Sequence, residues 1–345
     1  MHILITGGAG FLGSHTCLTL IEKGYEISIL DSFINSSIKT IEGIKKILRK
    51  AGIHTNHHLN IFKGDIRDKK IIIKIFEDAI KNNNPITSVI HFAGLKSVSE
   101  SVKKPFLYWE NNVSGTINLI NIMNQFNCKT IVFSSSASIY DDSSEKLIDE
   151  DFPINPTSPY AKTKETIERF LKDIFNSSSN TWRIANLRYF NPIGAHPSGI
   201  IGEELTSHTT NIFPIITKVA LKQIPELKVY GKDWPTIDGS GVRDYIHVID
   251  IANGHLKALE FLNANNPQII NLNLGTGKGT SVIELIKTFE KVNKVKIPYS
   301  FSERRDGDKG FVVADNKMAL SILKWKPEKN LEEMCIDGWN LKFHK

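Results

Sequence analysis

Over the first half of the chain, short apolar runs alternate with longer segments in which apolar residues recur at helical spacing. The apolar runs lie near residues 2–6, 26–31, 59–63, 86–92, 130–135 and 182–188. Runs of this length and β-rich composition predict strands, and the segments between them predict helices. Regular alternation of the two favours an α/β fold, a doubly wound parallel sheet with ligands bound at the carboxyl ends of its strands.

The pattern changes after Asn191 and Pro192, where loops and shorter elements replace the regular alternation. Turn-rich clusters at 192–202 and 231–241 predict a second, smaller α/β lobe. A chain of 345 residues is long enough for two lobes. We therefore expect one domain over residues 1–190 and a second over residues 191–345.

A glycine-rich turn joins the first predicted strand to the first predicted helix. The strand at 2–6 leads into Gly7, Gly8, Gly10 and Gly13, and a helical stretch follows at 14–23. Such a turn lets the backbone approach a diphosphate, and the helix N-terminus offers it free N–H groups. The fingerprint can be read from Gly7 or from Gly8. Because a strand and a helix flank it, it predicts a Rossmann-type dinucleotide site rather than a plain turn.

Acidic residues end the second and third predicted strands. Asp31 follows Gly13 by 18 residues, where an adenosine ribose would lie. Its carboxylate can accept hydrogen bonds from both ribose hydroxyls and would repel a 2′-phosphate, which favours NAD over NADP. The alternative is that Asp31 only opens the loop at 32–37. Asp65 closes the third strand, where its side chain could meet the adenine amino group.

Tyr160 and Lys164 are four residues apart, and the serines Ser134, Ser135 and Ser136 end an apolar strand upstream. On a helix, residues i and i+4 share a face, so Lys164 can lie beneath the phenol and lower the pKa of Tyr160. This predicts a tyrosine that acts as a base near neutral pH. The spacing alone is common on amphipathic helices, and the glycine turn gives it functional meaning.

Charged residues suited to an anionic ligand lie in glycine-bearing loops of the second half. Arg243 and Arg305 offer guanidinium groups, which bind diphosphate oxygens in a fixed fork. Asp308 could hold a ribose hydroxyl. Single arginines are more often partners in surface ion pairs, but together these residues favour a sugar nucleotide as ligand.

Composition narrows the class of protein further. The net charge is +6, but the lysines are spread over helix faces such as 39–50 and 69–81, which argues against a nucleic-acid partner. Three scattered cysteines, Cys17, Cys128 and Cys335, predict reduced thiols. No metal is predicted, because the one histidine cluster, at residues 54–58, has no acidic or cysteine partners.

The chain has no apolar segment of the ~18 residues that a membrane span needs. Its first apolar stretch belongs to the glycine motif and does not predict a signal peptide. We therefore expect no membrane partner and a cytoplasmic location.

Taken together, these motifs resemble the extended short-chain dehydrogenase/reductases, and the resemblance runs nearly end to end. Its most specific segments are 7–15, 91–96, 134–140, 158–160, 189–197, 230–231 with 235–236, and 241–248. The last three are more diagnostic than the glycines. The resemblance implies an NAD-binding Rossmann domain carrying Ser136, Tyr160 and Lys164 over residues 1–190, and a UDP-sugar-binding domain over residues 191–345.

The resemblance also implies a reaction. The enzyme would be an isomerase with tightly held NAD, a 4-epimerase that interconverts UDP-glucose and UDP-galactose by transient oxidation at C4. Tyr160 would remove the C4 hydroxyl proton as a phenolate, and Ser136 would hydrogen-bond the same oxygen. Lys164 would bind the nicotinamide ribose and, with the cationic nicotinamide, lower the pKa of Tyr160.

Residues that match the family's motifs form two predicted binding sets. The cofactor set is Gly7, Gly10, Phe11, Leu12, Gly13, Asp31, Asn35, Ser36, Asp65, Ile66, Phe92, Ala93, Gly94, Lys96, Asn111, Ser134, Tyr160, Lys164 and Tyr189. The substrate set is Lys96, Ser136, Tyr160, Tyr189, Phe190, Asn191, Asn211, Tyr230, Arg243, Arg305, Asp308 and Val312. The family further implies a homodimer built on two long helices near 101–126 and 158–176.

One position bears on substrate range. Relatives limited to unmodified hexoses carry a bulky tyrosine four residues after the aspartate that matches Asp308, whereas this chain has Val312. The smaller side chain leads us to expect room for a 2-acetamido group, so that UDP-N-acetylglucosamine and UDP-N-acetylgalactosamine would also be substrates.

Two alternatives stay open. A nucleotide-sugar 4,6-dehydratase on the same scaffold would need an acid pair beside the serine, where this chain has Ala137, Ser138 and Ile139 after Ser136. A non-catalytic NAD-sensing regulator would keep the glycine turn and lose the catalytic residues, and the presence of Tyr160 and Lys164 argues against it.

Overall fold

The computed structural model describes residues 1–53, 58–141, 146–177, 181–205, 211–305 and 307–341. The chain forms two compact units. The first unit consists of Met1–Ile139, Pro156–Arg188 and Ala252–Leu272, and the second of Tyr140–Asn155, Tyr189–Ile251 and Asn273–Lys345. This division differs from a single boundary at residue 190, because Ala252–Leu272 belongs to the first unit and Tyr140–Asn155 belongs to the second.

A seven-stranded sheet carries the first unit, in the order β11-β6-β5-β4-β1-β2-β3. The pairs β1–β2, β2–β3, β1–β4 and β4–β5 are parallel, and the predicted doubly wound α/β fold is confirmed. Strand order reverses between β1 and β4, so the carboxyl ends of these two strands flank a crevice suited to a ligand. The strands are β1 (His2–Thr6), β2 (Glu26–Asp31), β3 (Leu59–Lys63), β4 (Ile86–His91), β5 (Thr130–Ser136), β6 (Arg183–Tyr189) and β11 (Gln268–Leu274).

Helices connect these strands. They are α1 (Phe11–Glu22), α2 (Ile38–Lys50), α3 (Lys69–Lys81), α4 (Val98–Lys103), α5 (Pro105–Tyr108), a π-helical segment (Trp109–Ser114), α6 (Gly115–Gln125), a 3₁₀ turn (Ala137–Ile139), α7 (Pro159–Ser177) and α9 (Val248–Ala264).

The pattern of apolar residues explains how these elements pack. All five residues of β1 are buried, as expected for a central parallel strand. In α2, Ile41, Ile44 and Leu48 are buried on one face while lysines occupy the other, which is the pattern that predicted the helix. Burial of each such aliphatic side chain stabilises the fold by about 1.5–3 kcal/mol.

Smaller sheets build the second unit. Strand β10 pairs with β7 and β13 with β8, while β9 lies between β12 and β14. The strands are β7 (Asn191–Ile193), β8 (Leu227–Tyr230), β9 (Val242–Arg243), β10 (Tyr245–His247), β12 (Thr280–Ser281), β13 (Tyr299–Ser302) and β14 (Phe311–Val312). The helices are α8 (Ile212–Ala220), α10 (Val282–Asn293), α11 (Lys317–Leu323) and α12 (Leu331–Asn340).

The structure corrects three expectations. The first helix begins at Phe11 rather than Ser14. The long helix expected over 101–126 is interrupted, because Lys104 leaves helical geometry immediately before Pro105. Strand β11 comes from the second half of the chain, where no strand of the main sheet was expected. Among the described residues, no helix is long and apolar enough to cross a membrane.

Candidate active site

The glycine turn between β1 and α1 is closely packed against backbone. Gly7 has φ +71°, and a Cβ there would lie 2.7 Å from the backbone nitrogen of Ala93, in the turn that follows β4. A Cβ on Gly13 would lie 2.2 Å from the Gly7 carbonyl oxygen, whereas one on Gly10 would keep 3.3 Å from it. The turn therefore requires glycine most strictly at Gly7 and Gly13.

Helix α1 begins inside this turn, and no side chain caps its first backbone N–H groups. Its N-cap residue, Gly10, provides no side-chain hydrogen bond, and the first turn holds no acidic residue. The half-buried residues Phe11 and Leu12 lie in that first turn. Free N–H groups and the positive end of the helix dipole favour a phosphate at this point.

Asp31 ends β2 and is buried beside the turn. Its carboxylate accepts hydrogen bonds from the backbone N–H of Ala9 (2.9 Å) and Phe33 (2.9 Å) and from the Ser36 hydroxyl (2.8 Å). Asp31 thus connects the glycine turn to the loop that it opens. The contact with the turn agrees with the ribose-binding interpretation, and the contacts with the loop agree with the alternative that Asp31 opens the loop. Asn35 lies exposed in the same loop.

Asp65 has a partner that sequence reasoning missed. Its carboxylate accepts from the Arg67 guanidinium at 2.8 Å, and this interaction lowers the pKa of Asp65. Arg67 also pairs with Glu110 at 2.9 Å. Ile66, predicted as a cofactor residue, is buried in the core. The pairing leaves Asp65 ionised and fixed at the end of β3.

The turn after β4 is held by a buried asparagine. Asn112 accepts from the backbone N–H of Leu95 (2.8 Å), and its amide donates to the Leu95 carbonyl (3.1 Å) and to the Thr163 hydroxyl (3.1 Å). Asn112 was not predicted, although its half-buried neighbour Asn111 was. The sequence hardly distinguishes these two adjacent asparagines, because they differ only in how deeply the fold buries them. Phe92, Ala93 and Gly94 are half-buried in this turn, and Lys96 is exposed.

Three titratable side chains form a row along α7, and we call Tyr160, Lys164 and Glu168 the α7 row. Lys164 is buried, and its ammonium donates to the Ser134 carbonyl at 2.7 Å. The nitrogen lies 5.9 Å from the centre of the Tyr160 ring. Ser136 hydrogen-bonds Tyr160, so the structure brings together the three residues that were predicted to be catalytic.

The protein shifts the pKa values of this pair in ways that the spacing did not predict. Burial raises the pKa of Tyr160, and only the hydrogen bond to Ser136 lowers it. Burial therefore decides the direction of the Tyr160 shift, and the lowering expected from Lys164 is not among its causes. Desolvation also lowers the pKa of Lys164 to about 8, and the charge of Glu168 acts in the opposite direction.

In the second unit, four predicted residues form one group, which we call the arginine cluster: Tyr230, Arg243, Arg305 and Asp308. The Asp308 carboxylate lies 3.4 Å from the Arg243 guanidinium and 3.0 Å from that of Arg305. The Arg305 guanidinium stacks 4.4 Å from the centre of the Tyr230 ring. Asp308 thus holds two guanidinium groups side by side, and guanidinium groups are well suited to binding diphosphate oxygens.

Trp234, which sequence reasoning missed, joins the loops of this cluster. The Arg304 guanidinium lies 3.8 Å from the Trp234 ring centre and pairs with Asp233 at 3.0 Å. A Cβ on Gly231 would lie 2.3 Å from the indole nitrogen, and one on Gly310 would lie 2.7 Å from the indole ring. The indole therefore fills the space between the segments that carry Tyr230 and Asp308.

The remaining predicted substrate residues also belong to the second unit. Tyr189 and Phe190 are buried, Asn191 pairs with Tyr245 through β7 and β10, and Val312 pairs with Arg243 through β14 and β9. Asn211 is exposed, lies at the N-cap position of α8 without a side-chain capping bond, and donates to Glu203. His54 and His57 of the histidine cluster lie outside the described residues. Among the residues described, no three side chains are grouped as metal ligands.

Comparisons with known proteins agree with this geometry. A family model described as GDP-mannose 4,6 dehydratase matches residues 4–337. The UDP-glucose 4-epimerase of Bacillus subtilis is 46% identical over 340 residues, which cover 98% of this chain and 96% of that protein. The chain belongs to the extended short-chain dehydrogenase/reductase family of UDP-glucose 4-epimerases.

Solved structures of this epimerase family superpose over nearly the whole chain. The UDP-glucose 4-epimerase from Stenotrophomonas maltophila, with bound NAD and formylated UDP-arabinopyranose, is 40% identical and has a TM-score of 0.93, covering 99% of this chain and 98% of that one. The enzyme from Bifidobacterium longum, in complex with NAD⁺ and UDP, is 39% identical with a TM-score of 0.90, and the shares covered are again 99% and 98%. The fold of the family therefore extends over both units.

Proposed function

We propose that this protein is an NAD-dependent 4-epimerase that interconverts UDP-glucose and UDP-galactose. The observation that carries the proposal is the grouping of Tyr160, Ser136 and Lys164 at the carboxyl end of β5, in a chain 46% identical to a UDP-glucose 4-epimerase. A buried tyrosine with a neighbouring hydroxyl and ammonium suits proton transfer at a sugar oxygen.

The residues of the first unit fit NAD. Gly7 and Gly13 form a cradle that a Cβ would fill, α1 begins there without a capping side chain, and the Asp31 carboxylate lies beside the turn. These are the features that accommodate a diphosphate and a ribose with free hydroxyls. When bound, NAD would supply the hydride chemistry at C4 of the sugar.

Each member of the catalytic group has a distinct task in this proposal. Tyr160 exchanges the proton of the C4 hydroxyl, and Ser136, which hydrogen-bonds the tyrosine, would also hydrogen-bond the C4 oxygen of the sugar. Lys164, whose nitrogen lies 5.9 Å from the centre of the Tyr160 ring, and the cationic nicotinamide of bound NAD would together supply the positive charge that favours the phenolate. Because burial raises the pKa of Tyr160, these two partners must offset desolvation for the tyrosine to act as a base.

The arginine cluster of the second unit would bind the nucleotide part of the substrate. Arg243 and Arg305 would pair with the diphosphate, Asp308 would accept from a ribose hydroxyl, and the Tyr230 ring would stack on the uracil. Asn191 and Asn211 would add polar contacts. Guanidinium forks match diphosphate oxygens in geometry, which gives specificity as well as affinity.

The test is proton NMR of UDP-glucose mixed with purified protein and no added cofactor. Appearance of the anomeric signal of UDP-galactose would support both the reaction and retained NAD. If UDP-glucose stays unchanged even after NAD is supplied, the proposed reaction is wrong.

We also propose N-acetylated UDP-hexoses as substrates, on the basis of Val312. Its half-buried side chain lies in β14, opposite Arg243 in β9, where a tyrosine would occupy more space. We expect UDP-N-acetylglucosamine to be epimerised by the wild type and no longer by Val312→Tyr, while UDP-glucose turnover is kept. Wild-type turnover of the acetylated substrate below about a thousandth of that of UDP-glucose, a gap of ~4 kcal/mol, would refute this.

The alternatives are not favoured. Ser136 is followed by Ala137, Ser138 and Ile139, so the acid pair of a 4,6-dehydratase is missing next to the serine. A regulator that only senses NAD would not need the grouping of Ser136, Tyr160 and Lys164.

The family implies a homodimer, and the surface of the first unit supports one as a proposal. Exposed apolar side chains gather on α4, α5 and the π-helical segment: Val102 (63% exposed), Phe106 (89%) and Trp109 (38%). Water contact with such side chains is unfavourable, and a second copy of the chain would remove it. Sedimentation of the purified protein tests this, with Phe106→Glu expected to yield monomers.

A further inference from the structure

The α7 row has a regular counterpart on β5. Tyr160, Lys164 and Glu168 are spaced at i, i+4 and i+8, so they follow one face of the helix. The last three residues of β5 each bind one of them. Ser136 bonds Tyr160, the Ser134 carbonyl accepts from Lys164, and the Ser135 hydroxyl donates to Glu168. Glu168 is thus held by the same strand as Tyr160 and Lys164, the two members of the row that were predicted to be catalytic.

Glu168 has a second partner besides Ser135, on strand β6. Arg188, at the end of β6, donates to the Glu168 carboxylate through Nε at 3.0 Å and through Nη2 at 2.6 Å. The Arg188 side chain is 2% exposed and that of Glu168 is 8% exposed. Replacing a buried ion pair with apolar residues often costs nothing in stability, so its presence calls for a reason other than stability.

The charges around Lys164 suggest that reason. Lys164 is itself buried, and desolvation lowers its pKa, while the negative charge of Glu168 raises it. From β4, His91 faces Lys164, and burial together with the Lys164 charge lowers the pKa of His91 to about 3, so that it stays neutral. Tyr160 lies on the same face of α7, and Arg188 approaches from β6. Among these groups, Glu168 is the carboxylate that can support the ammonium.

We infer that Glu168, fixed by Ser135 and Arg188, is a positioning residue that keeps Lys164 in its ammonium form next to Tyr160. The inference rests on the proposed function, since it assigns the ammonium a part in that reaction. Arg188 holds the carboxylate in place and balances its charge. Without Glu168, burial would release the proton of Lys164 at a lower pH.

The first experiment compares pH profiles of kcat for UDP-glucose in the wild type, Glu168→Gln and Glu168→Asp. In Glu168→Gln we expect the alkaline fall in kcat to move to lower pH by about one unit, which is typical for loss of a close opposite charge. Glu168→Asp should restore most of the wild-type profile. A merely structural role would lower kcat at all pH values and leave the position of the fall unchanged.

A matched control lies on the same helix. Glu165 is also a buried carboxylate of α7, but it pairs with the exposed Arg169. Glu165→Gln should leave the alkaline fall at its wild-type pH. An equal displacement in both variants would contradict the inference, because it would reflect the loss of any α7 carboxylate.

Glu168→Gln leaves Arg188 buried without its counter-ion and could fail to fold. The double variant Glu168→Gln/Arg188→Met removes both charges and is expected to fold. In it the alkaline fall should move in the same direction by a smaller amount, since the neighbouring cation is removed as well. A folded double variant with the wild-type profile would overturn the inference.

A readout independent of activity separates this inference from the proposed reaction. In protein labelled with ¹³C at lysine Cε, the Lys164 signal is assigned by its loss in Lys164→Met and titrated in the wild type and in Glu168→Gln. We expect a lower titration midpoint in the variant. An inactive wild type would refute the proposed reaction, whereas equal NMR midpoints would refute the role of Glu168.

Discussion

The α7 row holds its cationic side chain in a buried environment, whereas the arginine cluster holds a cationic side chain that is exposed to water. Lys164 is 5% exposed and donates to a backbone carbonyl, whereas the Arg305 side chain is 55% exposed and pairs with another side chain. Water screens the second interaction strongly and the first hardly at all. Desolvation therefore controls the protonation of the α7 row, whereas the arginine cluster would bind a nucleotide through the number and geometry of its hydrogen-bond donors.

The two regions also differ in what holds them. The α7 row is fixed by regular elements, since strands β5 and β6 supply its partners. The arginine cluster is fixed by ring stacking and by ion pairs within the second unit, with Trp234 wedged beside Gly231 and Gly310. We expect changes in the first region to affect the rate of reaction and changes in the second to affect binding.

The sharpest test of this contrast is Tyr160→Phe. Because the phenol exchanges the substrate proton, kcat should fall about 10³-fold or more, while the affinity for UDP stays within about twofold. Turnover is measured by NMR of UDP-glucose and UDP affinity by titration calorimetry. Tyr25→Phe, a half-buried tyrosine outside both predicted sites, should leave turnover unchanged. Retained activity in Tyr160→Phe would break the comparison.

The glycine turn gives the next largest effect. A Cβ at Gly13 would overlap the Gly7 carbonyl, so Gly13→Ala should weaken NAD binding at least about tenfold, or ~1.4 kcal/mol, and lower the NAD recovered per purified chain. Gly10→Ala meets the same oxygen at 3.3 Å and should lose less. Cofactor content is read from the absorbance of the released nucleotide. Equal losses in the two variants would show that steric overlap with Gly7 is not the cause.

On the binding side, Arg243→Met should raise the Kd for UDP about 10- to 100-fold, the range expected for lost charge-assisted hydrogen bonds. Arg304→Met is the matched change, because Arg304 pairs with Asp233 rather than with Asp308. Its effect should be smaller. If kcat at saturating substrate falls along with affinity in Arg243→Met, the separation between binding and chemistry fails.

The smallest expected effect concerns Trp234. Removing the indole in Trp234→Ala frees Arg304 and loosens the segments on either side, so KM for UDP-glucose should rise about fivefold, consistent with ~1 kcal/mol for a cation–π pair. Trp234→Phe should recover part of the loss, and kcat should not change in either variant. A drop in kcat with normal KM would mean that Trp234 acts on the reaction instead.

Local sequence was a good guide where a structural feature depends on neighbouring residues. The six predicted strands are present to within one residue at each end, and the glycine turn leads from β1 into α1. Tyr160 and Lys164 share one helix as their spacing indicated. The roles assigned to these residues remain predictions.

The α/β sheet, the dinucleotide-type turn and the placement of Tyr160 and Lys164 on one helix face could be predicted from the residues alone, because period, turn chemistry and helical spacing are local. The folded structure was needed to establish that β11 joins the main sheet, that Asn112 rather than Asn111 is the buried partner of Leu95, and that Arg188 pairs with Glu168. It also reversed the expected direction of the pKa shift of Tyr160. These features depend on burial and on contacts between distant residues, and desolvation has no signature in the spacing of residues along a chain.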